Sequence, residues 1–106
     1  MQTIISDNKV KLKQNQGVYF VLVNGLNVKE THKLKDALEA FNSYAPEKTY
    51  KAVNIESIKA GDTIQHNGEL RTVCSSDIKY NAFTGTTIFG DSYKLGYLEV
   101  IKVIFN

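Results

Sequence analysis

"GVYFVLVNGLNVKET", residues 17–31, runs almost directly into "LKDALEAFNSYAPE", residues 34–47, and these two stretches decide the fold class. In the first, Asn24-Gly25 separates an apolar run from an alternating one. Asn and Gly both tolerate the left-handed backbone of a type I′ turn, whose twist matches that of the strands it joins, so this is a hairpin. The run 18–23 is apolar on both faces, which predicts an interior strand covered on two sides. In the second stretch Leu34, Ala37, Leu38, Phe41 and Ala45 recur at the spacing of one helical stripe. Lys35, Asp36, Glu39 and Asn42 fall on the other side, and Pro46 closes the pattern. A hairpin followed by one amphipathic helix that packs on it predicts an α+β domain.

Working outward, "TIISDNKVKLK", residues 3–13, reads as two short strands around a turn at Asp7-Asn8. Beyond the helix, residues 47–53 form a connector. Then "VNIESIKAGDTIQHNGELRTV", residues 53–73, places a strand at 62–66, a second Asn-Gly turn at Asn67-Gly68, and a return strand at 69–74. After a loop, "GTTIFGDSYKL", residues 85–95, reads as a third hairpin around Gly90-Asp91. "LEVIKVIF", residues 98–105, is a closing strand with apolar residues on both faces. The expected architecture is a single domain over 1–106: hairpins plus a helix over 1–46, then an SH3-like barrel or strongly bent sheet over 50–106.

A chain of 106 residues suffices for one modest core, and 42% hydrophobic with 23% charged residues is an ordinary globular composition. No apolar run approaches the roughly 20 residues of a membrane span. "MQTIISDNK" lacks a secretory pattern, and Cys74 is the only cysteine, so a reducing, cytoplasmic setting is expected. Net charge is +2, all of it in residues 1–48, where seven lysines face five acids. That excess is small beside the concentrated basic face of a duplex-binding domain.

Catalysis requires convergent groups of tuned acidity. The candidates are His32, His66, Cys74, Asp62, Glu69, Asp77 and Asp91. The turn at 67–68 pairs His66 with Glu69, leaving Cys74 about 17 Å further along its strand, beyond proton-transfer reach. Cys74 is expected as a small core residue, and two distant histidines with one cysteine make no metal set. An enzymatic site would have to centre on His66 with nearby acids. Gly61-Asp62 and Gly90-Asp91 lack the strand-to-helix context of phosphate-binding loops and read as plain turns. No enzyme, cofactor or metal is therefore expected.

Two surfaces remain. From Tyr80 to Tyr97 there are five of the chain's eleven aromatic residues and only two charges, Asp91 and Lys94. Phe89 is assigned to the core, while Tyr80, Phe83 and Tyr93 are assigned to the surface. Tyr80, Phe83, Asp91, Tyr93, Lys94 and Tyr97 form the expected protein-binding segment, against the plainer alternative that all five rings serve packing. On the other side of the chain, Lys9, Lys11 and Lys13 alternate with Val10 and Leu12, and Lys29, Lys33 and Lys35 surround the helix start. Such lysines commonly stay solvated and discourage edge pairing. With Arg71 and exposed tyrosines, Lys9, Lys11 and Lys13 would also suit a weak RNA- or DNA-binding module. Exposed strand edges would further suit a homodimer.

The stretch "IKAGDTIQHNGELRTVCSSDIKYNAFTGTTIFGDSYKLGYLEVIKVIF", residues 58–105, resembles small accessory proteins encoded by tailed bacteriophages. The resemblance is carried by "NGELRTV" and above all by "TTIFGDSYKLG", and covers about half the chain. The same half is similar in pattern to SH3-like small barrels. The phage resemblance implies no catalytic residues. It implies a protein that acts stoichiometrically in a host bacterium, binding and blocking a defence or regulatory component.

Overall fold

The computed structural model describes residues 2–93 and 99–106. The first half is a four-strand antiparallel meander: β1 (Gln2–Asp7), β2 (Val10–Asn15), β3 (Val18–Val23) and β4 (Leu26–Thr31) lie in chain order. The turn at Asn24-Gly25 has φ of 52° and 81°, both in the left-handed region that an Asn-Gly pair supplies at least cost. Helix α1 (Leu34–Tyr44) follows and lies against β2, β3, β4 and β5 (Lys48–Asn54). Its Ala37, Leu38 and Phe41 are buried, as the stripe requires.

The second half forms its own antiparallel sheet in the order β5, β10, β6, β7. Here β6 is Thr63–His66, β7 is Glu69–Thr72 and β10 is Glu99–Phe105. The last strand thus inserts between β5 and β6. A separate two-strand ribbon pairs β8 (Ile78–Asn81) with β9 (Gly85–Ile88). The result is α+β with antiparallel sheets, and the sheets do not close into a barrel.

Two cores sit on opposite faces of the second sheet. The first gathers Ile5, Leu12 and Val21 from the meander, Phe41 from the helix, and Tyr50, Ile101 and Val103 from the second sheet. The second gathers Ile55, Ile58, Ile64, Val73, Ile88 and Val100. Neighbouring residues of β10 therefore serve different cores, Val100 one and Ile101 the other, because successive strand side chains point to opposite faces. That accounts for a closing strand apolar on both faces.

The connector expected at 47–53 is strand β5, the turn expected at Asp7-Asn8 sits at Asn8-Lys9, and four further expectations are corrected. Strand β3 is interior by hydrogen bonding, between β2 and β4, but only one of its faces is packed. Val21 is buried against the first core, whereas Val18, Phe20 and Leu22 are half-buried on the opposite face, because the second half builds its own sheet instead of covering this one. Residues 75–84 are not simply a loop: a 3₁₀ turn at Ser75–Asp77 leads into β8. Accordingly β9 finds its partner upstream, and the tight turn that follows it sits at Phe89-Gly90, closed by the Ile88–Asp91 bridge. Cys74 is exposed, and Val73 takes the core position instead. The cause is local: Val73 exchanges backbone hydrogen bonds with Asp62 and Gly61, which turns Val73 inward and leaves Cys74 to open the 3₁₀ turn.

Candidate functional site

The β8–β9 ribbon separates the aromatic segment into two ends. Its base is anchored: Ile78 pairs with Ile88, Ile88 is fully buried, and Phe89 N–H donates to the Asp77 carbonyl at 3.2 Å. Its tip is a three-residue loop, closed by the Asn81–Gly85 pair, in which Phe83 N–H donates to Asn81 Oδ1 at 2.8 Å. Gly85 has φ +75°, the left-handed residue that such a loop requires at its end. Thr86 Oγ1 donates to Glu56 Oε1 at 3.3 Å and ties the ribbon to the body. On this fixed tip Tyr80 is 78% exposed and Phe83 93%.

The base end holds a different group. His66 lies two residues from Ile64 on β6 and so shares its inward face; the histidine is buried at 7% exposure. A buried imidazole needs partners. Its Nδ1 lies 2.6 Å from Tyr93 Oη, and its Nε2 lies 3.2 Å from Asn67 Nδ2. With the Asn67 amide donating to Nε2, the ring carries its proton on Nδ1 and donates to the tyrosine oxygen. The hydroxyl proton of Tyr93 is then left to donate elsewhere. Phe89 packs against the imidazole with ring centroids 5.2 Å apart, and the Arg71 guanidinium stacks on Phe89 at 3.8 Å.

Burial, reinforced by the Asp91 charge and opposed by Arg71, pushes the Tyr93 phenol up to about 12, so it is a protonated donor across the physiological range. Asp91 also fixes this residue directly, its Oδ1 accepting from Tyr93 N–H at 2.9 Å. Phe89 and Tyr93 both have φ of 55°, which bulky residues rarely adopt. Such strain costs about 1–3 kcal/mol per residue and persists only where the surroundings hold it, a condition common around functional sites.

The expected residues are thus divided. Tyr93 meets His66 directly, Asp91 holds Tyr93, and Arg71 stacks on the Phe89 ring that packs against His66, whereas Tyr80 and Phe83 occupy the far end of the ribbon. Tyr93 is half-buried against the second core and not an open surface ring. Lys94 and Tyr97 lie outside the described residues. Lys11 and Lys13 share the outer face of the first sheet, where Lys11 pairs with Leu22 and Lys13 with Phe20, and Lys9 joins them from the turn before β2. Arg71 is on the second sheet and does not join them. Among the described residues no cluster of His, Cys, Asp and Glu could hold a metal ion, and no helix is long and apolar enough to cross a membrane. His66 has neutral hydrogen-bonding partners instead of the acids an enzymatic reading would pair with it.

His66 as an organiser, with Asn67 and Phe89, was not legible as a site. One signal was present: a histidine two residues from a core isoleucine on a strand must find buried polar partners. Comparison of the chain with models of known families, with curated proteins and with solved structures gives no match.

Proposed function

We propose that the protein is a non-enzymatic binding module that acts by stoichiometric contact with another protein, using the β8–β9 tip as its main contact. The observation that carries this reading is the exposure of Tyr80 and Phe83, 78% and 93%, on a ribbon whose base is anchored by the fully buried Ile88. Leaving a large apolar side chain in water forgoes about 1.5–3 kcal/mol of burial. A tip held by paired strands and by the Asn81 side chain presents its rings with a reduced ordering cost on binding, and aromatic residues dominate the energetics of protein interfaces. The resemblance of residues 58–105 to tailed-phage accessory proteins supports a bacterial defence or regulatory component as the partner.

A second reading, weak single-stranded nucleic-acid binding, is favoured by one feature. The Lys9, Lys11 and Lys13 face borders a half-buried aromatic ring, Phe20, on an uncovered sheet.

One experiment tests both. Tagged wild type, Phe83→Ala and Tyr80→Ala are used to capture partners from bacterial lysate with and without nuclease. Because both rings are exposed, the variants should keep the wild-type unfolding free energy within about 0.5 kcal/mol. The expected result is a stoichiometric protein that survives nuclease and is lost with Phe83→Ala. Unfolded variants, or capture unchanged by them, would remove the tip from the reading. Material that disappears with nuclease would transfer the function to the lysine face.

A further inference from the structure

Where the two four-strand sheets meet there is a cleft of about 260 Å³. Four of its lining residues are carboxamides: Gln2 and Gln14, which pair across β1 and β2, Gln65 on β6, and Asn67 in the turn after it. Tyr93 and Glu99 also line it. Gln65 is only 8% exposed, yet its side chain makes no hydrogen bond among the described residues. Every side-chain nitrogen or oxygen that is wholly buried in the described structure does have a partner. The Gln65 amide therefore opens onto the cleft, with its donor and acceptor capacity unspent among the described residues.

We propose that this cleft binds an uncharged nucleobase or nucleoside, read along its hydrogen-bonding edge by the carboxamides of Gln14, Gln65 and Asn67. A carboxamide sets two donors beside one acceptor in a plane, the pattern that pairs in bidentate fashion with a base edge. No lysine or arginine is among the described lining residues, and Glu99 brings a negative charge, so the described lining favours an uncharged ligand over a phosphate. Leu34 and Ile101 add an apolar part suited to a flat ring. The volume lies just below the roughly 300–1,000 Å³ of drug-sized pockets, a size that fits a base or nucleoside.

His66 gives the cleft its order. One ring nitrogen holds Tyr93 and the other holds Asn67, so two lining residues are fixed by a single buried imidazole before any ligand arrives. Groups already fixed lose little freedom on binding. The Tyr93 hydroxyl proton, unspent within the His66 pair, becomes a further donor to the ligand. His66 is in this sense a positioning residue. The site is independent of the ribbon tip and requires no protein partner.

The test is amide NMR of the full chain titrated with adenine, cytosine, uracil and adenosine, with AMP and glucose as charged and polyol comparisons. The expected result is a saturable shift of the Gln65 and Asn67 side-chain amides with at least one of the first four probes. AMP should bind no more tightly than adenosine. Gln65→Leu should weaken the interaction about tenfold, the loss of one bidentate contact. Gln14→Leu should do the same and stands in if the first variant fails to fold. The proposal is overturned by the absence of a saturable shift with all four probes, by a preference for glucose or AMP, or by binding that survives the folded leucine variants. None of these outcomes bears on capture by the Phe83 tip.

Discussion

At the scale of a residue, Asn42 does for β5 what a neighbouring strand would do. Its Nδ2 donates to the Tyr50 carbonyl at 3.0 Å, and its Oδ1 accepts from Tyr50 N–H at 2.9 Å. One side chain thus satisfies both backbone groups of an edge-strand residue and fixes how the helix sits on the second sheet. Asn42→Ala removes both bonds and leaves two part-buried backbone groups without that partner. The expected cost is about 1–3 kcal/mol, read as a lower urea midpoint at unchanged slope. The periodicity of the helix places Asn42 on its polar side, and that is correct; the use made of the polar side is what periodicity does not carry. The same holds for His66, whose inward direction follows from Ile64 but whose partner Tyr93 lies 27 residues away. Cys74 shows the opposite case, a residue of typically buried type left outside by the turn it begins.

At the scale of an element, the turns were the most legible part. Asn24-Gly25 and Asn67-Gly68 are tight two-residue turns with both residues at positive φ, because few residue pairs other than Asn-Gly adopt that geometry cheaply. The β8 strand was not legible, since "IKYN", residues 78–81, is short and carries a weak alternation. Its pairing is set by the three-residue loop that ends at Gly85. An added Cβ there meets nothing within 4 Å, so Gly85→Ala isolates the backbone cost of a left-handed residue. The variant is expected to lose about 1–2 kcal/mol and to speed hydrogen exchange in β8 and β9 ahead of the second sheet. Equal acceleration throughout the molecule would mean that the ribbon does not open on its own.

At the scale of the whole molecule, two tyrosines join distant parts. Tyr50 Oη donates to Asp7 Oδ2 at 2.9 Å, across 43 residues, and links the first turn to the second sheet. Tyr93 links the segment after β9 to His66. Burial raises the pKa of both above the ordinary tyrosine value; for Tyr50 the hydrogen bond and charge of Asp7 add to it, and for Tyr93 the charge of Asp91 does. A folded pKa above the unfolded one means that the stability from a protonated phenol is complete below pH about 10. It is lost as pH rises through the folded value, about 12 for Tyr93. These two groups should therefore leave thermal stability level up to pH about 10 and lower it progressively above that. Tyrosinate absorbance should show the phenols of Tyr50 and Tyr93 ionising together with unfolding. Replacing Tyr50 by Phe should flatten part of that alkaline decline; an unchanged decline would remove Tyr50 from the account.

The sequence by itself determined the hairpins at its Asn-Gly turns, the limits and buried face of the helix, and a closing strand apolar on both sides. Each of these follows from sterics or periodicity within a few residues. Only the tertiary structure decided that β10 inserts between β5 and β6, that its two faces serve two cores, and that Tyr93 reaches His66 while Tyr80 and Phe83 stay at the ribbon tip. These outcomes depend on which distant strands become neighbours. That choice is made by the balance of total apolar burial against loop-closure entropy, a property of the whole chain that no short window contains.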